Sequence, residues 1–466
     1  MTDPARTTAI VLAAGNASRF GAVKLLAALD GVPLLEHVLG IARAAGVGEI
    51  IVVLGDAAPD VESAIDLAGV RIVRNPRPGD GLSSSLRLGL AAVGPGSDGA
   101  LILLGDQPLV RGDVIAALLA APVPDGRSIV VPRYRDDGAI NPALLLRASW
   151  PLADGLTGDR GMGPVIRAHS ELVVEVPVDG DNPDVDTPAD LALLDWARRV
   201  RANREQVDRV REVGDGDFYA SGTSLFIADP LRSDADDATL AALRSIARPG
   251  QRWLDVGAGA GRYALPLALA VAPGEVTAVE VSAGMLTALR DGMRTHGIAN
   301  VRVVEGRWPA VAREAGAAFD AALIAHVGYD IESIGPFLDA LERAATTCVA
   351  IMMDRTPASI AEPYWPPVHG EPRIPLPAMP EFVALLHARG RSPEVRLVER
   401  TERAYVDREQ ALGLLRRQTW VRPDGEKDRR LRSLLDERVV ERPDGRIALR
   451  DAPELQVGIV TWSGSG

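Results

Sequence analysis

A short apolar run that leads into a glycine-rich loop occurs twice in this chain, at 10–24 and again at 251–262. Around each loop, Val/Ile/Leu runs alternate with helix-like stretches, a pattern typical of mostly parallel sheets that helices cover on both faces. A chain of 466 residues is also too long for one ordinary core. The sequence therefore predicts an α/β protein with two doubly wound domains, one over 1–200 and one over 201–466.

The stretch between the two patterns, 198–211, is rich in arginine. It predicts a charged helix that continues the last helix of the first domain into a solvated linker at the start of the second. Nucleic-acid binding is the alternative, but the stretch lacks aromatic residues and the net charge of the chain is −12. That charge also disfavours anionic membranes. A single cysteine, no signal-peptide pattern and no long apolar run together predict a cytoplasmic protein.

The first loop is suited to bind a nucleoside triphosphate. Its glycines and small residues allow backbone N–H groups to approach an anion closely, and Arg19 and Lys24 add positive charge. No Gly-Lys-Ser/Thr sequence opens the following helix, so the loop is not a P-loop. A plain strand-to-helix turn would also use glycine, and the loop alone leaves that alternative open.

Ligands of doubly wound sheets bind beyond the carboxyl ends of the strands, which makes residues just after each strand the candidates. Asp106 directly follows the strand-like run 100–104, where it is placed to coordinate Mg²⁺. Asp186 offers a second carboxylate or, alternatively, belongs to a helix cap. Ser83 and Ser84 begin a helix, where they either bind polar or anionic groups or cap the helix.

Together these segments resemble the molybdenum-cofactor cytidylyltransferases, a MobA-like family whose Leu-Ala-Ala-Gly-x-x-Ser-Arg-x-Gly-x-x-Lys signature matches 12–24. The resemblance implies a Rossmann-like, GT-A-like domain that transfers CMP from CTP to molybdopterin and releases pyrophosphate. The catalytic residues that it implies are Arg19, Lys24, Asp106 and Asp186, and the two aspartates hold Mg²⁺. The nucleotide-binding residues that it implies are Ala13, Ala14, Gly15, Lys24, Ser83 and Ser84. The acceptor-side residues that it implies are Asn141, Gly158 and Asp159.

Three details concern the substrates and partners. Asn141 stands where the family commonly has histidine, and it keeps hydrogen bonding without a titratable ring. The Ala-Ala-Gly at 13–15 and Pro-Leu-Leu at 33–35 resemble the cytidylyl branch more than the guanylyl branch. A guanylyl or other nucleotidyltransferase acting on a sugar or alcohol phosphate is the alternative. The resemblance also implies molybdopterin or a related phosphorylated small molecule, and molybdoenzymes or their chaperones, as partners.

The second loop carries Gly257, Gly259 and Gly261 in a Gly-x-Gly-x-Gly order, and Glu280 ends the next strand-like run. A dinucleotide site could also use an acid at this distance. Asp255 favours another ligand, because a carboxylate beside the glycines would repel a pyrophosphate. S-adenosylmethionine has no phosphate, and its sulfonium and ammonium groups are cationic.

The second loop resembles motif I of the class I methyltransferases, and the resemblance extends over about 240–355. Glu305 and Gly306 resemble the turn beside adenine, although the family commonly has aspartate where Glu305 stands. The run 319–326 resembles the fourth strand, which leads to His326 on the substrate side. The resemblance implies an S-adenosylmethionine-dependent methyltransferase, and hence a bifunctional enzyme. Its implied cofactor-binding residues are Asp255, Gly257, Gly259, Gly261, Glu280, Glu305 and Gly306.

The rest of the chain predicts a completed second sheet. Two strands at 396–406 and 455–462 flank a charged helical insert at about 407–438. The proline-rich segment 363–377 predicts a loop, either a lid over the methyl acceptor or an ordered packing loop. A regulatory or scaffolding role for one domain is an alternative from a different functional class. The candidate charged residues present in both halves disfavour it.

Overall fold

The computed structural model describes residues 2–15, 20, 23–134, 140–214, 229–231, 237–398 and 404–464. The chain forms two compact units, Met1–Leu191 and Ala192–Gly466, and each is built on a seven-stranded sheet. Arg19 lies outside the described residues. Within the described ranges, no helix is long and apolar enough to cross a membrane.

The sheet of the first unit has the order β5-β4-β1-β6-β8-β7-β9, and only β8 runs antiparallel to its neighbours. Its strands, with a short β2–β3 hairpin, are β1 (Thr7–Ala13), β2 (Ala28–Leu29), β3 (Val32–Pro33), β4 (Glu49–Leu54), β5 (Val70–Arg74), β6 (Gly99–Leu104), β7 (Ile129–Arg133), β8 (Ala143–Leu146) and β9 (Val173–Pro177). Its α-helices are α1 (Leu34–Ala44), α2 (Ala58–Ala64), α3 (Leu82–Ala92), α4 (Gly112–Ala120) and α5 (Gly163–Ala168).

Strands β1, β4 and β6 are apolar along almost their whole length because helices cover both faces of this sheet. The sequence predicts this mostly parallel arrangement, and the structure confirms it. It does not predict β8, because four apolar residues after a proline carry too little periodicity to indicate a strand. The chain order of the strands reverses between β1 and β6, which marks the crevice where such sheets bind ligands.

The second unit has the sheet order β12-β11-β10-β13-β14-β18-β15, in which β18 is antiparallel to both neighbours. Its strands, with a separate β16–β17 pair, are β10 (Arg252–Val256), β11 (Glu275–Glu280), β12 (Val301–Glu305), β13 (Phe319–Ala325), β14 (Ala345–Met353), β15 (Glu394–Val398), β16 (Val439–Glu441), β17 (Ile447–Leu449) and β18 (Val457–Ser463). Its helices are α6 (Pro188–Val210, which begins in the first unit), α7 (Ala238–Ile246), α8 (Ala264–Val271), α9 (Ala283–His296), α10 (Ala312–Ala315), α11 (Ile334–Ala344), α12 (Trp365–His369), α13 (Met379–Ala388), α14 (Arg408–Thr419) and α15 (Glu426–Arg438).

The arginine-rich stretch is helical, as expected, but it is not a solvated linker. One face of α6 buries Trp196 and Val200 in the core of the second unit, and Gln206 bonds the backbone at Pro372 and Ile374. The arginines occupy the opposite face, where they pair with surface carboxylates. The buried positions of α6 recur every three to four residues, as in any amphipathic helix. A high content of charged residues therefore does not show that a helix is solvated.

A small cap with its own core follows β14 and contains α12, α14, α15, β16 and β17. The expectation of a loop at 363–377 is wrong at its start, where Trp365–His369 is helical. Two prolines occupy the first turn of this helix, the one place in a helix where a missing N–H removes no hydrogen bond.

Candidate active sites

The first candidate site lies where β1 and β6 end, at the strand-order reversal of the first unit. The Gly105 N–H donates to Leu12 O at 2.9 Å, which holds the loop after β6 against the end of β1. The Val185 N–H donates to Asp106 O at 3.1 Å and brings the acidic segment before α6 to the same place. Three segments far apart in sequence therefore meet at one edge of the sheet.

Lys24 joins two of the predicted carboxylates at this edge. Its Nζ lies 2.7 Å from Asp106 Oδ2 and 2.9 Å from Asp186 Oδ1. The cap of α6 is formed by Thr187 and Asp190, whose carboxylate accepts the N–H groups of Asp186 and Thr187. The capping alternative for the Asp186 side chain is therefore wrong, and its carboxylate faces the lysine.

The electrostatics of this centre favour a bound cation. Burial lowers the pKa of Lys24, but the carboxylates of Asp106 and Asp186 outweigh burial and the net pKa is raised. The ammonium thus marks a position at which both carboxylates point. Two carboxylate oxygens suit Mg²⁺, which takes one or two protein carboxylates and completes its octahedron with water and substrate phosphates. Among the described residues, no group of three or more His, Cys, Asp or Glu side chains could hold a metal.

A buried amide network supports the acidic segment, and the sequence analysis does not predict it. Gln107 Nε2 donates to Asp184 Oδ1 at 2.8 Å, and Asn182 Nδ2 donates to Gln107 Oε1 at 3.0 Å. Burial raises the pKa of Asp184, and the nearby Asp106 carboxylate raises it further. The available signal for this network was the presence of amide side chains beside a strand end, because amides that are buried there need hydrogen-bond partners.

The start of α3 is occupied by internal contacts. The Leu82 N–H donates to Asp159 Oδ1 at 3.2 Å and the Ser83 N–H donates to Gly158 O at 3.2 Å. The Ser84 hydroxyl lies between Asn75 and Gly81 O, and that of Ser83 is fully buried with no partner among the described residues. These backbone N–H groups are therefore not available to an anionic ligand. The nucleotide role of the two serines stays a prediction that these contacts do not favour.

A cleft of about 350 Å³ opens beside the centre, between the ends of β1 and β6, the first turns of α3 and the segment 158–167. Asn141 and Asp159 line it, and Gly158 contributes to the adjoining loop. Their role on the acceptor side stays a prediction. At its edge, Ala13 and Ala14 are buried and Gly15 is exposed. The structure thus brings the nucleotide-side and acceptor-side predictions to one end of the sheet.

The second candidate site lies at the ends of β10, β11 and β12. Gly257, Gly259 and Gly261 all have positive φ, and a Cβ on Gly257 would lie 2.5 Å from the Val327 side chain. Only glycine fits such a left-handed turn at this packing distance without strain. Because these glycines have no side chains, a ligand can approach the backbone of the loop closely.

Glu280 organises this loop. Its carboxylate accepts the N–H groups of Gly259, Val281 and Ser282, each at 2.8 Å. The Gly306 N–H donates to Glu280 O at 2.9 Å, which places the turn after β12 next to Glu280. Glu305 is exposed and lies 3.7 Å from Arg290. The predicted cofactor residues of three strands are therefore contiguous in space.

Asp255 is the unusual group of this site. It is 1% exposed, and neither carboxylate oxygen has a hydrogen-bond partner among the described residues. Burial, with a further contribution from the Glu280 carboxylate, raises the pKa of Asp255 to about 7. A buried carboxylate without a partner is costly unless a ligand supplies one. The cationic amino-acid end of S-adenosylmethionine has the matching charge, so these residues fit that cofactor.

His326 follows β13 at the same edge and has a φ of 56°. Its backbone N–H donates to Ile351 O at 2.8 Å, and its ring Nε2 lies 3.3 Å from the Tyr263 hydroxyl. Left-handed backbone at a residue other than glycine is typically retained at functional sites. The structure thus places His326 beside the glycine loop, on the side where the methyl acceptor is predicted.

Comparison with known proteins identifies the families of both domains. Residues 9–173 match the model of the MobA-like NTP transferase domain. A phosphoenolpyruvate guanylyltransferase from Sphaerobacter thermophilus is 31% identical over 180 residues, which cover 37% of this chain and 82% of that protein. The chain belongs to the MobA-like NTP transferases. Residues 254–347 of this MobA-like protein match the model of a methyltransferase domain, which confirms the predicted fusion of a nucleotidyltransferase domain to a methyltransferase domain.

Two further relatives resemble the MobA-like unit. The 2-C-methyl-D-erythritol 4-phosphate cytidylyltransferase of Streptomyces avermitilis is 36% identical over 136 residues, 28% of this chain and 54% of that protein. A solved homologue of Mycobacterium tuberculosis Rv0371c, from Mycobacterium sp. strain JC1, is 35% identical and has a TM-score of 0.39, with 42% of this chain and 98% of that chain covered. The chain spans about half the length of the leading curated relatives.

Proposed function

We propose that the first unit transfers the cytidylyl group of CTP to the phosphate of molybdopterin, with or without molybdenum bound, and releases pyrophosphate. The observation that carries this proposal is the convergence of Asp106 and Asp186 on one cation position, which Lys24 occupies. A nucleotidyl transfer needs neutralisation of phosphate charge more than any covalent group of the protein.

In the proposed reaction, an oxygen of the acceptor phosphate attacks the α-phosphorus of CTP, and the bond to pyrophosphate breaks. Lys24 carries a full positive charge on a flexible stem, so it can contact the phosphate chain while remaining near both carboxylates. Asp106 and Asp186 would hold Mg²⁺. When bound there, the ion supplies neutralisation of the charge on the phosphates.

The names of the relatives support a phosphorylated acceptor. The Streptomyces relative is a cytidylyltransferase of a sugar-alcohol phosphate, and the Sphaerobacter relative is a guanylyltransferase of phosphoenolpyruvate. Cytidylyl transfer rests on the Ala-Ala-Gly sequence at the end of β1. Guanylyl transfer, or transfer to a sugar or alcohol phosphate, is the second candidate, because the same catalytic residues serve each of these reactions.

We propose that the second unit binds S-adenosylmethionine through Asp255, the glycine loop and Glu280, with Glu305 and Gly306 beside the adenine. S-adenosylmethionine, when bound, supplies the methyl group. The Glu280 carboxylate accepts one N–H of the glycine loop, from Gly259, and those of Val281 and Ser282 just after β11. We propose that the same carboxylate also accepts the ribose hydroxyls. We also propose a cytoplasmic location, which the single cysteine of the chain supports.

Turnover with each of the four nucleoside triphosphates tests the proposal. The full chain is incubated with molybdopterin, Mg²⁺ and one triphosphate, and the pterin dinucleotide is identified by mass. We expect the cytosine dinucleotide to form at least tenfold faster than the others. Formation of the guanine dinucleotide alone would favour the second candidate. Transfer to a sugar phosphate but not to molybdopterin would contradict the proposed acceptor.

A further inference from the structure

We propose that the cleft beside the Lys24–Asp106–Asp186 centre binds an acceptor with a flat ring system and a second anionic group, which Arg160 and Arg167 recognise. This second anion is distinct from the phosphate that receives the nucleotidyl group. The inference rests on the proposed nucleotidyl transfer and specifies the class of acceptor for that same site.

The position of the cleft connects it to the reacting centre. One wall is formed by Leu12 and Leu104, which lie at the ends of β1 and β6. Asp106 follows Leu104 by two residues at the end of β6. We therefore place the acceptor phosphate at the aspartates and the remainder of the acceptor in the cleft. Its volume of about 350 Å³ is that of a site for a small organic molecule.

The walls of the cleft are mainly apolar, with side chains that include Leu12, Leu82, Leu86, Ile102, Ile140 and Met162. The polar side chains that reach it are few. Asp159 already accepts the N–H of Leu82 at the start of α3. A polyhydroxylated sugar buried here would leave many hydroxyl groups without partners, which is unfavourable. A flat ring system instead covers apolar walls with its faces and needs polar partners only at its edges.

Arg160 and Arg167 supply positive charge at the rim of this apolar cleft. Both are exposed, and across the described ranges neither guanidinium has a hydrogen bond or an ion pair. The Arg167 guanidinium lies over Gly163, 3.6 Å from the position of an added Cβ. Arginine binds oxyanions in a bidentate manner and stacks on flat rings. Two unpaired arginines beside an apolar wall therefore match an anionic ring compound.

Direct binding of molybdopterin tests this subsite separately from catalysis. Calorimetry on the full chain without CTP compares the wild type with the double variant Arg160→Gln/Arg167→Gln. The matched control is Arg248→Gln, because Arg248 is an arginine of the second unit whose guanidinium makes no contact among the described residues. We expect Kd for molybdopterin to rise at least tenfold in the double variant only, while Kd for CTP stays within twofold.

The outcomes separate this inference from the proposed function. If the wild type binds molybdopterin and the double variant has an unchanged Kd, the subsite is overturned and the proposed function stands. No binding of molybdopterin by the wild type overturns both. A loss of CTP binding together with molybdopterin binding also overturns it, because the arginines would then act on the fold. Binding that depends on both arginines, without transfer of CMP when CTP and Mg²⁺ are added, supports the subsite and contradicts the proposed reaction.

Discussion

The substitution Asp255→Asn should stabilise the second unit and weaken its binding of S-adenosylmethionine. The Asp255 carboxylate is buried without a partner, and burial raises its pKa from the ordinary 3.8 to about 7. An acid with a raised native pKa destabilises the fold once pH exceeds its unfolded value, because ionisation is easier in the unfolded chain. The penalty is absent below pH about 4, grows as pH rises towards 7, and is complete above 7.

The size of the penalty follows from the shift. About three pK units at 1.36 kcal/mol each amount to about 4 kcal/mol at pH 8. At pH 5.5 the penalty is about 2 kcal/mol, because the native carboxyl is still mostly protonated. Asparagine carries no charge at either pH. The gain in unfolding free energy should therefore be about 2 kcal/mol larger at pH 8 than at pH 5.5. Other effects of the amide are the same at both pH values, so they drop out of this comparison.

Urea titrations of the full chain measure this difference. The transition that S-adenosylmethionine shifts is assigned to the second unit, and its unfolding free energy is compared at the two pH values. Calorimetry at several pH values measures the affinity. The ratio of the variant's Kd to that of the wild type should increase up to tenfold per pH unit below pH about 7 and then level off. Equal stabilisation at both pH values, or an unchanged affinity of the variant at pH 8, would refute the reasoning.

Three further substitutions test separate parts of the account. Trp196→Ala should lower the unfolding free energy of the second unit by about 3–5 kcal/mol and leave CTP binding unchanged; a loss confined to the first unit would contradict the packing of α6. Gly81→Ala should reduce nucleotidyl transfer at least tenfold, because its Cβ would lie 2.3 Å from the Gly158 carbonyl carbon, whereas Gly79→Ala, with open space around it, should be neutral in the same assay. Glu280→Ala should weaken S-adenosylmethionine binding at least tenfold in calorimetry, and wild-type affinity would exclude its role.

The meeting of Lys24 with Asp106 and Asp186 could be predicted because the position of these residues follows from topology. Lys24, Asp106 and Asp186 each follow a strand or precede a helix, and the carboxyl ends of parallel strands meet at one edge of a sheet. The same reasoning brings Asp255, the glycine loop and Glu280 together. In both units, the local signal in the sequence is an apolar run followed by a polar residue. The parallel sheet then brings the polar residues of neighbouring strands together at one edge.

Contacts between loops could not be predicted in this way. The carboxylate of Asp159 caps α3 across 77 residues of sequence, and no local pattern indicates such a partner. Exposed arginines such as Arg160 have no periodicity that separates a rim of a cleft from any other surface. The packing of α6 was missed because its five buried residues, such as Trp196, lie among many arginines. Tertiary burial of one helix face outweighs the charge of the other.

Transfer of the α-phosphorus of CTP tests the central claim most directly. CTP labelled at that atom is incubated with molybdopterin and the full chain, with Mg²⁺ or with a chelator, and the labelled dinucleotide is measured. We predict transfer by the wild type only with Mg²⁺, and a rate at least 10²-fold lower for Asp106→Asn. Asp125→Asn, which removes an exposed carboxylate of the same unit, should transfer at the wild-type rate. Transfer by Asp106→Asn within a few-fold of the wild type, or transfer in the chelator, would contradict the account.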